Sequence, residues 1–159
     1  MTVPEHAVVN GDAKDTLPSK FAQVREATTS LCRFLETEDY VVQSMPDVSP
    51  TRWHLAHITW FFEKFVLEAA DSNYRRVSDD YHFLFNSYYH TAGAMHARPK
   101  RGLLTRPTVR EILEYRQIVD AAILELIASG INDETAATIQ LGLNHEQQHQ
   151  ELLLTDILH

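Results

Sequence analysis

The segment from Ser49 to Ala70 is apolar on nearly all of its sides, and it constrains the fold more than any other part of the chain. Ser49 is a favourable N-cap and Pro50 is favoured in a first helical turn, so this pair predicts the start of a helix. A helix that is apolar all round must be buried among other elements. The segment therefore predicts a central helix with other helices packed around it.

The region from Thr16 to Glu36 repeats apolar residues with a period near 3.6, which predicts an amphipathic helix. Most of its charged side chains fall off the apolar stripe, so we expect that stripe to face the core. Cys32 lies beside the stripe and is interpreted as a small core hydrophobe rather than a nucleophile. The stripe comprises Phe21, Val24, Leu31 and Leu35, and the charged residues largely off it are Lys20, Arg25, Glu26 and Arg33.

Two more helices are predicted after residue 107. Thr108 and Glu111 form a capping-box pattern that opens the third helix, and Gly130 is a typical residue to end it. Asn132 or Asp133 is expected to cap the fourth helix. Because the chain has only five glycines and little β-type alternation, it predicts an all-α four-helix bundle. The residues of the third helix expected to point inward are Ile112, Tyr115, Val119, Ala122 and Leu126.

A long crossover from Asp71 to Pro107 connects the second and third helices. Connections of this length in a compact domain are usually functional or disordered. Aromatic side chains need a surface to pack on, so their abundance here argues against disorder. Residues 1–15 are polar and mixed, so we expect a flexible arm there and assign residues 16–159 to the bundle. The aromatic residues of the crossover are Tyr81, Phe83, Phe85, Tyr88 and Tyr89.

Composition excludes several classes of partner. The net charge of −8 argues against nucleic acid, which binds clusters of Lys and Arg. No apolar run approaches the roughly 20 residues that a membrane helix needs, and the first residues do not resemble a signal peptide. A single cysteine excludes an internal disulfide. We therefore expect a cytoplasmic protein whose partners are neither nucleic acid nor a membrane.

His145 and His149 lie four residues apart in the last helix, so both project from one face about one turn apart. Leu141 and Leu152 lie one turn before and one turn after them, and this face is therefore expected to point inward. Two imidazoles at this spacing can share one transition-metal ion. The alternative is a pair of core histidines satisfied by buried carboxylates or water.

The second helix offers a third imidazole, from His54 or His57. Periodicity does not choose between them, because each has a bulky apolar residue four positions on. Three protein imidazoles would leave coordination positions open, which is typical of a catalytic metal site. Imidazole suits zinc, iron, nickel and copper alike, so the residue types leave the metal open. The histidines expected to be loop or packing residues are His82, His90 and His96, with His6 in the arm.

Four motifs, in this order, resemble the DinB-like N-terminal domain of ergothioneine-biosynthesis sulfoxide synthases. They are Ser49–Glu63 (SPTRWHLAHITWFFE), Phe85–His90 (FNSYYH), Arg98–Leu104 (RPKRGLL) and Asn144–Glu151 (NHEQQHQE). The resemblance covers most of the chain, from about Phe21 to the last residue. It implies a DinB-like four-helix bundle with a mononuclear non-haem Fe(II) centre.

The resemblance also implies the roles of individual residues. Fe(II) would be held by His57, His145 and His149, so His57 rather than His54 is the implied third ligand. Gln148 would lie beside the metal and contact the imidazole of histidine betaine. Arg98 and Arg101 would bind the carboxylates of a thiol substrate, which suits guanidinium because it can clamp a carboxylate through two hydrogen bonds. The implied reaction consumes oxygen and joins cysteine or γ-glutamylcysteine to histidine betaine as a sulfoxide.

Members of that family continue into a second domain, related to formylglycine-generating enzymes, which carries a catalytic tyrosine. This chain ends at residue 159 within a helical pattern, with no Gly or Pro stop signal. We therefore expect a domain that lacks a catalytic residue of its own and binds metal without forming sulfoxide. The absent domain would dock on the bundle, and the exposed docking surface could cause self-association.

Two other functions fit the same residues. Other DinB-like proteins resemble metal-dependent thiol transferases or hydrolases, which would use zinc or nickel to activate a thiol or water. The chain could also be a metal-stabilised helical module with no activity of its own. Turnover with a thiol and histidine betaine would discriminate between these functions.

Overall fold

The computed structural model describes residues 16–87 and 93–159. Within these ranges the chain is helical and contains no β-strand, which confirms the predicted all-α bundle. The four long helices of the bundle are α1 (Leu17–Leu31), α2 (Thr51–Phe62), α5 (Val109–Ser129) and α6 (Asp133–Leu158). The shorter elements are a 3₁₀ turn (Asp39–Val41), α3 (Glu68–Ala70), α4 (Asp80–Phe85) and a 3₁₀ segment (Arg98–Leu103).

Helix α2 is central, as its apolar surface predicts. All twelve of its residues are buried, and it packs against both α5 and α6, while α1 packs against α6. A π-helical segment, Glu63–Leu67, continues α2 into α3. The aromatic and aliphatic core forms around α2. Its largest fully buried side chains include Trp53, Trp60, Tyr115, Phe21 and Phe62.

Local signals predicted three helix ends correctly. The Thr108 hydroxyl accepts a hydrogen bond from the Glu111 N–H at 3.2 Å, and the Glu111 carboxylate accepts one from the Thr108 N–H at 2.6 Å. Gly130 ends α5 with a φ of 94°, a left-handed conformation that favours glycine. Asn132 caps α6 through its side-chain oxygen, which accepts from the N–H of Thr135. The capping box, the glycine stop and the Asn132 cap are therefore confirmed.

Two predicted boundaries are wrong by a few residues. Helix α2 starts at Thr51, so Pro50 rather than Ser49 occupies the N-cap position. The hydroxyl of Ser49 does not cap the helix, and it accepts instead from the guanidinium of Arg101 at 2.9 Å. Helix α1 ends at Leu31 rather than Glu36. The carbonyl of Cys32 accepts from the N–H of Leu35 and from the hydroxyl of Tyr40, which closes a tight turn there. Cys32 itself is buried, as expected.

Arg25 corrects the prediction for α1, because it lies in the core and is only 4% exposed. Its guanidinium donates to the carboxylate of Glu146 at 2.9 Å and to that of Asp120 at 2.6 Å. Periodicity places a charged residue at the surface by default, but a buried carboxylate on another helix can hold it inside. Arg25 thus ties α1 to α5 and α6.

The crossover forms short helical stretches, as predicted, and its Phe85 packs into the core. Residues 88–92, with Tyr88, Tyr89 and His90, lie outside the described residues. So do residues 1–15, with the expected arm and His6. None of the described helices has the length and apolar character to cross a membrane.

Candidate metal centre

The buried stripe of α6 differs from the one expected. Leu141 and Leu152 are 59% and 42% exposed, so they do not mark an inward face. The apolar periodicity of α6 is ambiguous, because leucines occur on several of its sides. His149 lies within the buried stripe, and His145 lies at its edge facing α2. The residues that form the buried stripe are Ile139, Gly142, Leu143, Glu146, His149 and Leu153.

Three histidines from α2 and α6 converge. One ring nitrogen of each of His57, His145 and His149 lies within 4.8 Å of the others, and the Nε2 atoms of His57 and His145 are 3.2 Å apart. Two nitrogens that bind one ion at about 2.0–2.1 Å lie roughly 2.8–3.4 Å apart for coordination angles of about 90–109°. The His57–His145 pair therefore has the spacing of two ligands of one ion. His149 completes a group of three that could hold a metal ion.

The orientation of His57 is fixed by its surroundings. Its Nδ1 lies 2.6 Å from the carbonyl oxygen of Phe85, and a carbonyl can only accept, so Nδ1 carries the proton. Its Nε2 is then left with a lone pair directed at the other two histidines. The ring stacks on the indole of Trp53, with centroids 4.7 Å apart. This pattern, a ligand histidine that donates its other N–H to a carbonyl, is usual around protein-bound metals.

His54 occupies a different position from His57. Its Nδ1 lies 2.9 Å from Nδ1 of His149, and its Nε2 lies 2.8 Å from the carboxylate of Asp156. It does not belong to the group of converging nitrogens. The choice that periodicity left open is thus made by the placement of α6, which brings His57 into the group.

Burial lowers the pKa of all three converging histidines. The pKa of His145 falls to about 4 because the ring is desolvated. Desolvation, together with the neighbouring histidines, also places the pKa values of His57 and His149 well below the ordinary value of 6.5. All three imidazoles are therefore neutral near pH 7, which is the form that binds a metal ion.

The converging histidines line a cavity of about 260 Å³ that also contains the other residues implied by the resemblance. Arg98, Arg101 and Gln148 all lie on its wall. Arg101 is buried, and its guanidinium donates to the hydroxyls of Ser49 at 2.9 Å and Ser87 at 3.0 Å. The structure therefore places cationic groups and the histidine group around one space.

The 3₁₀ segment that carries the two arginines is attached to the bundle by Gln43. The amide nitrogen of Gln43 donates to the carbonyls of Arg98 and Val48, both at 2.9 Å, and its oxygen accepts from the N–H of Gly102 at 2.6 Å. A Cβ on Gly102 would lie 2.7 Å from the Cβ of Gln43, so the close contact requires glycine. Gln43 was not predicted, and no local pattern in the sequence would have revealed it.

Ser49, Ser87 and Asp156 line the cavity and were also not predicted as site residues. Asp156 had a usable signal, because it lies seven residues after His149 and so projects from the same side of α6. The other described histidines of the crossover lie elsewhere. Nδ1 of His82 accepts from the indole N–H of Trp60, and Nε2 of His96 lies 3.1 Å from the carbonyl of Lys100.

Residues 20–153 match the sequence profile of the DinB superfamily, whose domains are associated with metals in general. No curated protein gives a significant match. The matched region begins within α1, at Lys20, and extends through α6 to Leu153, and it includes the three converging histidines. Because the match covers most of the chain and its helical bundle carries a group that could hold a metal ion, the chain belongs to the DinB superfamily.

Proposed function

We propose that this chain is the iron-binding domain of an oxygen-dependent sulfoxide synthase of ergothioneine biosynthesis. The observation that supports this proposal best is the shared cavity, whose wall includes His57, His145 and His149 as well as Arg98 and Arg101. The proposal also rests on the four sequence motifs, since histidine groups alone are compatible with other chemistry.

The proposed reaction joins a thiol to the imidazole of histidine betaine. A carbon–sulfur bond forms as the S–H and one imidazole C–H bond break, and the sulfur gains one oxygen atom. Together these changes remove four electrons from the organic substrates. One molecule of oxygen accepts them, so that one oxygen atom enters the sulfoxide and the other leaves as water.

The three histidines would hold Fe(II), which supplies the capacity to activate oxygen when it is bound. Arg98 and Arg101 would bind the carboxylates of cysteine or γ-glutamylcysteine and so orient the thiol. Arg101 is suited to this role because Ser49 and Ser87 already hold its guanidinium. The amide of Gln148 would hydrogen-bond the imidazole of histidine betaine at the rim of the cavity.

We further propose that a domain related to formylglycine-generating enzymes closes the cavity and supplies the catalytic tyrosine. Leu152, which is 42% exposed and lines the cavity, would contact that domain. Exclusion of water from the cavity is one contribution that a second wall would make to the reaction. The isolated bundle is therefore expected to bind metal and substrates with little turnover.

Substrate binding to the cobalt(II)-loaded chain tests the proposal, because the absorption bands of cobalt(II) respond to changes around the ion. Histidine betaine and γ-glutamylcysteine or cysteine are each expected to perturb the bands. The double variant Arg98→Gln/Arg101→Gln should weaken thiol binding while it leaves the response to histidine betaine in place. Arg110→Gln, on the exposed side of α5, is the matched control.

Unchanged thiol binding in the double variant would remove the arginines from this role. A chain that binds cobalt(II) but responds to neither compound would refute the substrate assignment. In that case the zinc- or nickel-dependent thiol transferase or hydrolase becomes the better proposal. Formation of sulfoxide by the Fe(II)-loaded chain fused to the second domain of a sulfoxide synthase, measured by mass spectrometry, would establish the reaction itself.

A further inference from the structure

We propose that Asp156 and His54 form a hydrogen-bond relay that sets the tautomer of His149 and so presents its Nε2 to the metal ion. Both are positioning residues, because they act through His149 rather than on a substrate. The inference rests on the proposed metal site, and it adds two residues to which the family resemblance gives no role.

The direction of each proton follows from the chemistry of the groups. An ionised Asp156 can only accept, so Nε2 of His54, 2.8 Å from its carboxylate, carries a proton. A neutral His54 then has a lone pair on Nδ1. This lone pair lies 2.9 Å from Nδ1 of His149, which must carry the second proton of the relay. The lone pair of His149 is therefore on Nε2.

The relay is held in place at its outer end. The carboxylate oxygen of Asp156 that accepts from His54 also accepts from the backbone N–H of Ser49, at 2.8 Å. His54 is only 3% exposed, so water does not compete effectively for its nitrogens. The relay connects the start of α2 with the end of α6, which are the two helices that supply the converging histidines.

His57 reaches the same protonation state by a different route. The carbonyl of Phe85 accepts its Nδ1 proton, and no side chain is involved. In His149, Nδ1 points toward another side chain, so its tautomer depends on the identity of residues 54 and 156. Groups that orient metal ligands typically contribute about 10- to 100-fold to metal affinity.

A competing protonation state would defeat this function. If Nδ1 of His54, rather than Nδ1 of His149, carried the proton shared by the two histidines, His54 would donate to Nδ1 of His149. The proton of His149 would then lie on Nε2, where it blocks the metal ion. The two states differ in which nitrogen of His149 is protonated, and nitrogen NMR of the imidazole rings distinguishes them directly.

The test combines ring-nitrogen NMR of the metal-free chain with cobalt(II) affinity measured by competition against a chromophoric chelator. His54→Phe keeps the ring volume but removes both nitrogens, and Asp156→Ala removes the acceptor. Asp156→Asn keeps an acceptor oxygen and serves as the conservative variant. His82→Gln is the matched control, because His82 also pairs with a carboxylate, that of Glu68 at 2.9 Å, but lies outside the cavity.

In the wild-type chain we expect His149 to be protonated on Nδ1 and His54 on Nε2. His54→Phe and Asp156→Ala should lose this preference at His149 and bind cobalt(II) about 10- to 100-fold more weakly. Asp156→Asn should keep the tautomer and most of the affinity, and His82→Gln should match the wild type. If His54→Phe fails to fold, the two Asp156 variants still decide the question.

Protonation of His149 on Nε2 in the wild type, or unchanged tautomer and affinity in the folded variants, would overturn the relay. Failure of the proposed metal site would give a different result from failure of the relay. A wild-type chain with the expected tautomers but no affinity for cobalt(II) or Fe(II) would contradict the proposed function while leaving the relay intact.

Discussion

Glu63 is a fully buried carboxylate that the fold satisfies with three donors. The hydroxyl of Tyr115 donates to it at 2.6 Å, the N–H of Val77 at 2.9 Å and the hydroxyl of Tyr74 at 3.2 Å. Burial, followed by the charge of Glu63, raises the pKa of Tyr115 well above its ordinary value of 10.0. The neutral phenol is thus the form that the folded chain requires.

Replacement of Tyr115 by Phe should lower the free energy of unfolding by about 1–3 kcal/mol, because a buried carboxylate loses a donor. Since the pKa of Tyr115 is raised on folding, its contribution to stability is present below about pH 10 and is lost as the pH rises further. Urea unfolding of the wild type and the variant between pH 7 and 11 measures both effects. This role for Tyr115 would be contradicted if the variant had the wild-type free energy of unfolding at pH 7 and lost as much stability as the wild type at high pH.

At the scale of helices, Gly142 allows α6 to approach α2 closely. A Cβ at this position would lie 2.5 Å from Cε1 of Phe62 and 3.0 Å from Cε1 of Phe61. The ring of Phe61 is in turn 4.9 Å, between centroids, from the ring of His145. The absence of a side chain at Gly142 therefore sets the distance between the two helices that carry the converging histidines.

Gly142→Ala should destabilise the fold, although alanine is the better helix former by about 1 kcal/mol. Overpacking against two phenylalanines costs about 1–3 kcal/mol, and it should also displace His145 and weaken metal binding. Chemical unfolding and a cobalt(II) titration measure the two effects. Leu141→Ala, at a 59% exposed position on the same helix, is the control. Stabilisation by Gly142→Ala would show that the helices have room to adjust.

The helices and several of their ends could be predicted from the sequence, because their signals are local. The capping box of Thr108 and Glu111 and the glycine stop at Gly130 each involve contacts within about one helical turn. Such contacts can be recognised from neighbouring residues in the sequence. The positions of Arg25 and His54 could not be predicted in this way. Arg25 is buried by a carboxylate 121 positions away, and His54 differs from His57 only through its contacts with α6.

The family resemblance of the motifs predicted His57, Arg98 and Arg101 as site residues. The structure places all three around one cavity. The expectation that Leu141 and Leu152 mark the inward face is wrong, because the core of α6 is partly polar. The buried positions of α6 include Gly142, Glu146 and His149, whereas a periodicity argument expects aliphatic residues at buried positions. Apolar patterns identify a helix more reliably than they identify the face on which it builds a site.

In the molecule as a whole, Glu146 connects the helices of the bundle. Its carboxylate is fully buried and accepts from Arg25 at 2.9 Å, Arg116 at 2.6 Å and Thr28 at 2.6 Å. Burial alone would raise the pKa of Glu146, but the two guanidinium groups outweigh it and lower the pKa. Since Arg25 also donates to Thr59 of α2, the network joins all four long helices.

Glu146→Ala should therefore destabilise the whole bundle, by about 3–5 kcal/mol, because two buried guanidinium groups lose their shared partner. Urea unfolding followed by circular dichroism measures this change. Glu151→Ala, at an exposed position of the same helix, should change stability by less than about 0.5 kcal/mol. A loss in Glu146→Ala no larger than that of the control would show that the network contributes little to stability.

The central claim is that His57, His145 and His149 together hold one metal ion. Anaerobic titration of the chain with Fe(II), with bound iron measured after removal of free metal, tests it most directly. We expect about one ion per chain, and binding should be lost in each of His57→Ala, His145→Ala and His149→Ala. Folded variants that still bind one ion per chain at wild-type affinity, or a wild-type chain that binds none, would contradict the account.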